Sequence, residues 1–178
     1  GSQGFIGSYL CQELLDNDYE VVGIDNYSKY GKVSRPHDKH PNFKLLELDL
    51  SGSLIDCKTL SYCDSDIASH SYLADAEHII AGAAMIGANT FDLALALRQR
   101  YELKKITVIS SSMVFENCSI YPTPESAIES SPPPSSTYGF QKLSSEFFCL
   151  GAWEQYKLPY TIIRPFNCVG VGEEEALG

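Results

Sequence analysis

Tyr138 and Lys142 stand four residues apart in Tyr138-Gly139-Phe140-Gln141-Lys142, downstream of the run Ser110-Ser111-Ser112. On a helix this spacing puts a phenol and an ammonium on one face, where the cation favours the phenolate. A free phenol titrates near ~10, so it needs such help to act as a base near neutral pH. With the opening Gly1-x-x-Gly4-x-x-Gly7, these residues describe a site for redox chemistry.

Elements that could position such a site surround these residues. Gly1 permits a tight turn, Gly4 lets backbone approach a pyrophosphate, and Gly7 lets the following helix pack closely on a strand. The phosphate would sit at that helix's N-terminus. Ile6, Leu10 and Leu14 recur at helical spacing, which predicts one buried face for this helix. Next comes Glu20-Val21-Val22-Gly23-Ile24, short and β-branched, ending on Asp25. An acid there would bond an adenosine ribose 2′-hydroxyl and repel a 2′-phosphate, so NAD is expected over NADP.

Composition sets further bounds. The 178 residues, 44% of them hydrophobic, suffice for one domain with a core. A net charge of -10 argues against a nucleic-acid surface, which needs clustered Lys and Arg. An anionic ligand must therefore be held by local donors. Cys11, Cys57, Cys63, Cys118, Cys149 and Cys168 form no C-x-x-C pair and no metal-like grouping with histidine, and read as reduced thiols of a cytoplasmic protein. No metal site is expected. The longest apolar run, around residues 79–88, is too short to span a bilayer, so no membrane partner is expected.

The pattern along the chain is α/β: short apolar strands alternate with amphipathic helices, as in a parallel sheet covered on both faces. Strands are expected over 20–25, 43–48, 77–81, 105–110 and 160–164, and helices over 6–17, 89–100 and 138–156. In the last helix Leu143, Phe147 and Leu150 are the expected buried stripe, which would leave Tyr138 and Lys142 facing a cleft. Residues 27–41 read as a loop. So does the Pro- and Ser-rich stretch 121–136, whose length points to a functional role.

Gly4-Phe5-Ile6-Gly7-Ser8, Asp25-Asn26, Ala83-Ala84, Ser110-Ser111-Ser112-Met113-Val114-Phe115, Tyr138-Gly139-x-x-Lys142 and Arg164-Pro165-Phe166-Asn167 follow one another in an order that resembles the extended short-chain dehydrogenase/reductase family, the NAD-dependent sugar-nucleotide epimerases and dehydratases. The resemblance covers nearly the whole chain. It implies a Rossmann-type doubly wound parallel sheet, with residues 1–178 forming an NAD-binding domain. It also implies a nucleotide-sugar substrate and a homodimer built through two helices per subunit, that of Tyr138 often among them.

By the same resemblance, Ser111, Tyr138 and Lys142 are catalytic. Tyr138 takes a proton from a sugar hydroxyl, Ser111 bonds the reacting oxygen, and Lys142 supports the phenolate and bonds the nicotinamide ribose. The serine run has a plainer alternative as the polar cap of a strand. Gly1, Gly4, Phe5, Ile6, Gly7, Asp25, Asn26, Ala83, Ala84, Tyr138, Lys142 and Pro165 fall at cofactor positions. Asp49 either lies near the adenine or caps a loop. Ser112, Met113 and Asn167 fall at substrate positions, Asn167 having an Asx-turn as its alternative, and Arg164 reads as a structural anchor.

Departures from the family pattern narrow the reaction and raise expectations about the chain's extent. Dehydratases place Asp-Glu after the catalytic serine, whereas this chain has Ser112-Met113, neither of which can serve elimination as an acid or base. The expectation is an epimerase, with a dehydrogenase or reductase as the nearest alternative and a non-catalytic dinucleotide sensor or scaffold as one of another class. Phe115-Glu116 replaces a frequent Tyr-Gly. An apolar strand is expected before Gly1, a longer loop around residues 85–88, and a substrate domain after Gly178. Without the first strand, which is central in this architecture, the sheet would be interrupted.

Overall fold

The computed structural model describes residues 1–47, 77–82, 91, 94, 95, 98 and 103–173. The chain forms two compact units, one of Gly1–Gly52 with Asn167–Gly178 and one of Ser53–Phe166.

In the first unit, helix α1 (Phe5–Asp16) begins directly after Gly4 and ends at Asn17, whose N–H donates to the carbonyl of Leu14 while that of Asp18 donates to the carbonyl of Leu15. Asp18 then takes a left-handed conformation, φ 63°, and turns the chain into strand β1 (Val21–Asp25). β1 pairs in parallel with β2 (Phe43–Glu47), in a register running from Val21 opposite Phe43 to Asp25 opposite Glu47. The loop between them holds a 3-10 turn at Pro36–Lys39 that starts on the ring-fixed φ of Pro36. His37 of this turn is buried, its ring edge-on to Phe43 at 4.6 Å.

The buried face of α1 differs from the expected one. Cys11 and Leu15 are buried, Leu10 and Leu14 are half-buried, and Ile6 is exposed. The stripe is turned by about one residue because Gly7 makes the close approach: a Cβ at Gly7 would lie 1.9 Å from the carbonyl oxygen of Gly1. Residues three to four positions beyond such a contact share its face.

The second unit holds three parallel strands, β3 (His78–Ala81), β4 (Lys105–Ile109) and β5 (Tyr160–Ile163), in the order β3-β4-β5. β4 is the middle strand and carries the core: Ile106 and Val108 are fully buried with Leu103, Ala94, Cys149 and Leu158. Helix α2 (Thr137–Tyr156) starts on Ser136, whose hydroxyl accepts from the N–H of Gly139 at 3.0 Å, and ends at left-handed Lys157.

The face that α2 buries was not the one its apolar periodicity indicated. Gly139, Lys142, Ser145, Glu146, Cys149 and Ala152 are buried, whereas Phe147 is 63% exposed, Leu150 is exposed and Leu143 is only half-buried. Lys142 is therefore enclosed, 2% exposed. Small residues and residues with an internal polar partner let the helix pack closely on this unit, so the aromatic face points out.

The observed strands reproduce the expected ones to within a residue at each described end. Among the described residues they form two parallel sheets, β1-β2 and β3-β4-β5. Residues 91, 94, 95 and 98 are helical, in agreement with the expected helix over 89–100, the rest of which lies outside the described residues. Asp49, Ala83, Ala84, Cys57, Cys63 and the segment 85–88 also lie outside them. Each of the two long loops contains one 3-10 turn, Pro36–Lys39 and Glu125–Glu129. Among the described residues no helix is long and apolar enough to cross a membrane.

Candidate functional site

In the first unit the glycine turn is braced from two sides. The N–H of Gln3 donates to Asp25 Oδ2 at 2.9 Å, and the carbonyl of Gln3 accepts from Arg35 Nε at 3.0 Å and Nη2 at 2.7 Å. Asp25 Oδ1 takes the N–H of Tyr27 at 2.8 Å, and Asn26 Oδ1 takes that of Ser28 at 3.0 Å. The acid at the end of β1 thus holds both the glycine turn and the chain that leaves the strand.

This geometry fits an anion. Gly4 caps α1 without a side-chain hydrogen bond, and the first turn, which holds Phe5 and Ile6, carries no acidic residue. Backbone N–H groups at the start of a 12-residue helix, together with the helix dipole, favour negative charge there. Gly7 has no room for a side chain and Gly4 little, with a Cβ there 3.2 Å from the Gly1 carbonyl oxygen. Behind the turn Gln3 is 2% exposed, its amide donating to Asp38 Oδ1 at 3.0 Å and lying 3.5 Å from His37 Nε2. Burial pushes the His37 ring below its ordinary pKa; neighbouring Asp38 opposes this and Arg35 adds to it.

In the second unit, Ser111, Tyr138 and Lys142 are gathered around the C-terminal end of β4, where open α/β sheets bind their ligands. Lys142 Nζ donates to the carbonyl of Ile109, the last residue of β4, at 2.8 Å, and lies 5.8 Å from the ring centroid of Tyr138. Burial pushes the Lys142 ammonium down to about 8. Tyr138 itself is 42% exposed, so the phenol is open to a ligand while its cation is enclosed. Ser111 starts the 3-10 turn Ser112–Phe115, its Oγ accepting from the N–H of Met113 at 3.2 Å. A serine hydroxyl that accepts a backbone N–H keeps its own hydrogen to donate. Pro165 follows β5, and its carbonyl accepts from the N–H of Ser112 at 3.0 Å. Asn167, placed in the first unit, is exposed.

Beside the serine run is a buried ionic network that the sequence motifs did not indicate. Glu146 accepts from Ser110 Oγ at 2.5 Å and forms a two-pronged pair with Arg164, Nε to Oε1 at 2.9 Å and Nη2 to Oε2 at 2.8 Å. Arg164 is the structural anchor expected of it. The available signal for Glu146 was its position four residues after Lys142, on the same helix face. Among the described residues no cluster of three His, Cys, Asp or Glu could hold a metal.

The first unit thus holds a glycine turn at a helix start, and the second a Ser, Tyr and Lys set at a strand end, both on parallel α/β elements. Comparison with known proteins makes this specific. The family model "NAD dependent epimerase/dehydratase family" matches residues 1–177, and the chain belongs to that family. NAD is the family's cofactor. Mouse dTDP-D-glucose 4,6-dehydratase is 25% identical over 96% of this chain and 49% of its own length. A putative UDP-glucose 4-epimerase of Methanocaldococcus jannaschii is 24% identical over 96% and 55%. The chain therefore spans about half the length of these curated relatives. Among solved structures, UDP-N-acetylglucosamine 4-epimerase from Methanobrevibacter ruminantium M1, in complex with UDP-N-acetylmuramic acid, superposes with a TM-score of 0.71 at 28% identity, over 98% of this chain and 56% of that one.

Proposed function

We propose that the chain is the NAD-binding domain of an epimerase acting on a nucleotide-linked sugar. The observation that carries this reading is that no acid directly follows Ser111 in sequence and that, among the described residues, the carboxylates hydrogen-bonded beside it are engaged by other groups. Ser112 and Met113 follow Ser111, Glu116 is engaged by Ser136, and Glu146 by Arg164 and Ser110. Epimerisation needs no such acid: oxidation of the sugar carbon, turnover of the bound ketone and reduction on its other face use one base throughout.

NAD, when bound, supplies acceptance and return of hydride. Gly1, Gly4, Phe5, Ile6 and Gly7 would hold the pyrophosphate at the start of α1. Asp25 and Asn26 would meet the adenosine ribose, with Asp49, Ala83 and Ala84 further along the same ligand. Tyr138 would remove the hydroxyl proton as the carbon is oxidised and return it on reduction. Lys142 stabilises the phenolate from its anchored position, and Ser111 donates to the reacting oxygen. Ser112, Met113 and Asn167 would contact the sugar, and Pro165 would close against the cofactor.

The exposed aromatic face of α2 supports a homodimer. Phe140, Phe147, Phe148 and Trp153 all remain open beside a groove of about 670 Å³. Unbridged thiols at Cys11, Cys118 and Cys149 fit a reducing, cytoplasmic compartment.

Product analysis of the full-length protein with a panel of UDP- and dTDP-hexoses tests the reaction. A stereoisomer formed without net NADH is the expected result. Accumulating ketone or reduced sugar would make it a dehydrogenase or reductase, a 4-keto-6-deoxy product a dehydratase, and ligand binding without product a sensor.

A further inference from the structure

We propose that Glu116 is a positioning residue for the proton-transfer site, a latch that sets the distance between the Ser111 turn and Tyr138. Glu116 ends the 3-10 turn that Ser111 begins. Its Oε2 accepts both the N–H of Ser136 at 3.0 Å and the hydroxyl of Ser136 at 2.8 Å. That hydroxyl in turn accepts the N–H of Gly139, the residue next to Tyr138. One carboxylate oxygen thus joins the turn carrying the serine to the cap of the helix carrying the tyrosine.

Neighbouring contacts leave this connection little freedom. Asn117 Nδ2 donates to the carbonyl of Pro133 at 2.7 Å and to Ser135 Oγ at 3.0 Å, which fixes the end of the Pro-rich loop just before Ser136. A Cβ on Gly139 would lie 2.7 Å from Pro134 Cβ and 2.8 Å from the Met113 carbonyl oxygen, so helix and turn already touch where the latch closes. The Ser136 N–H first, and its hydroxyl second, hold the Glu116 carboxyl below its ordinary pKa, so it is a charged acceptor at neutral pH. Helix α2 is anchored further along by Lys142 on Ile109. Tyr138 lies between the two fastenings, in the first turn, where a helix frays once its cap is lost.

The inference rests on Tyr138 and Ser111 acting together in the proposed reaction. Two measurements on the full-length protein test it separately from that reaction. Hydrogen exchange in Glu116→Ala should speed up at residues 136–140 and stay unchanged in β4; equal exchange in wild type and variant would remove the latch whatever the enzyme does. Steady-state kinetics on the UDP- and dTDP-hexose panel should show kcat reduced about 10- to 100-fold in E116A with KM and NAD affinity retained. Glu116→Gln, whose amide oxygen can accept both Ser136 donors, should regain most of that loss. An unchanged kcat, an equal loss in E116Q, or a loss confined to KM would each overturn the positioning role. Wild-type protein inactive on the whole panel would overturn the catalytic consequence together with the epimerase reading. Should E116A fail to fold, Ser136→Ala deletes only the linking hydroxyl and must lower kcat in the same way.

Discussion

Lys142 is tied to Ile109: its ammonium donates to the carbonyl that closes β4, at 2.8 Å, in a setting where burial has lowered its pKa to about 8. The helix carrying Tyr138 is thereby fastened to the strand that leads to Ser111. The cation is held in one place, at the cost of much of its hydration.

This has a consequence for stability against pH. The folded pKa of Lys142 lies below its unfolded value near ~10.4, so between the two the unfolded chain binds more protons than the folded one, and the contribution of this group to stability rises with pH over that window. The total is at most about 3 kcal/mol. Urea unfolding of wild type and Lys142→Met from pH 7 to 10.5 should show a difference that changes in this direction. A constant difference would refute the shift.

Glu146 and Arg164 form the one two-pronged ion pair among the described residues, 5% and 16% exposed. Glu146→Gln leaves a mostly enclosed guanidinium without its counter-charge and is expected to cost about 3 kcal/mol, whereas the double variant with Arg164→Met should recover part of this. Denaturant titration of both singles and the double gives the coupling. Additive effects would show that the pair is energetically idle.

Thiol reactivity should divide along burial. Cys149 is pushed to about 12 and Cys11 to about 11 by burial, while hydrogen bonds from Ser131 first and the Ile120 N–H second lower Cys118. The thiolate is the reactive form. Pulsed iodoacetamide at pH 7.5, read by peptide mass spectrometry on folded protein, should label Cys118 well before Cys149; the reverse order would contradict the packing of α2.

The outward face of α2 predicts self-association. Phe147→Asp places a charge on a side chain that is 63% exposed here, so it should leave the fold intact yet abolish a dimer formed through this helix. Sedimentation of wild type and variant decides the matter. A monomeric wild type, or a variant that still dimerises, would count against this face.

Much of this protein was legible without coordinates. The order of Gly1, Gly4 and Gly7, then Asp25, Ser111, Tyr138 and Lys142 announced the turn, the acid at the end of β1 and the side chains gathered at the end of β4. Alternation of β-branched runs with helical segments located every described strand to within a residue. These features are local: they depend on backbone sterics and on spacing along one element, which the chain states directly.

What faces what was decided only in three dimensions. An apolar stripe shows that a helix is two-sided, but it does not say which side meets the sheet. In α2 close approach favoured Gly139, Ser145 and Ala152, and Lys142 and Glu146 could follow them inside because Ile109 and Arg164 were there to receive them. Those partners come from elsewhere in the chain, as does the Ser136 that occupies Glu116. Hydrogen bonds to groups 18 to 33 residues away leave no period in a sequence, and only the packed structure brings them together.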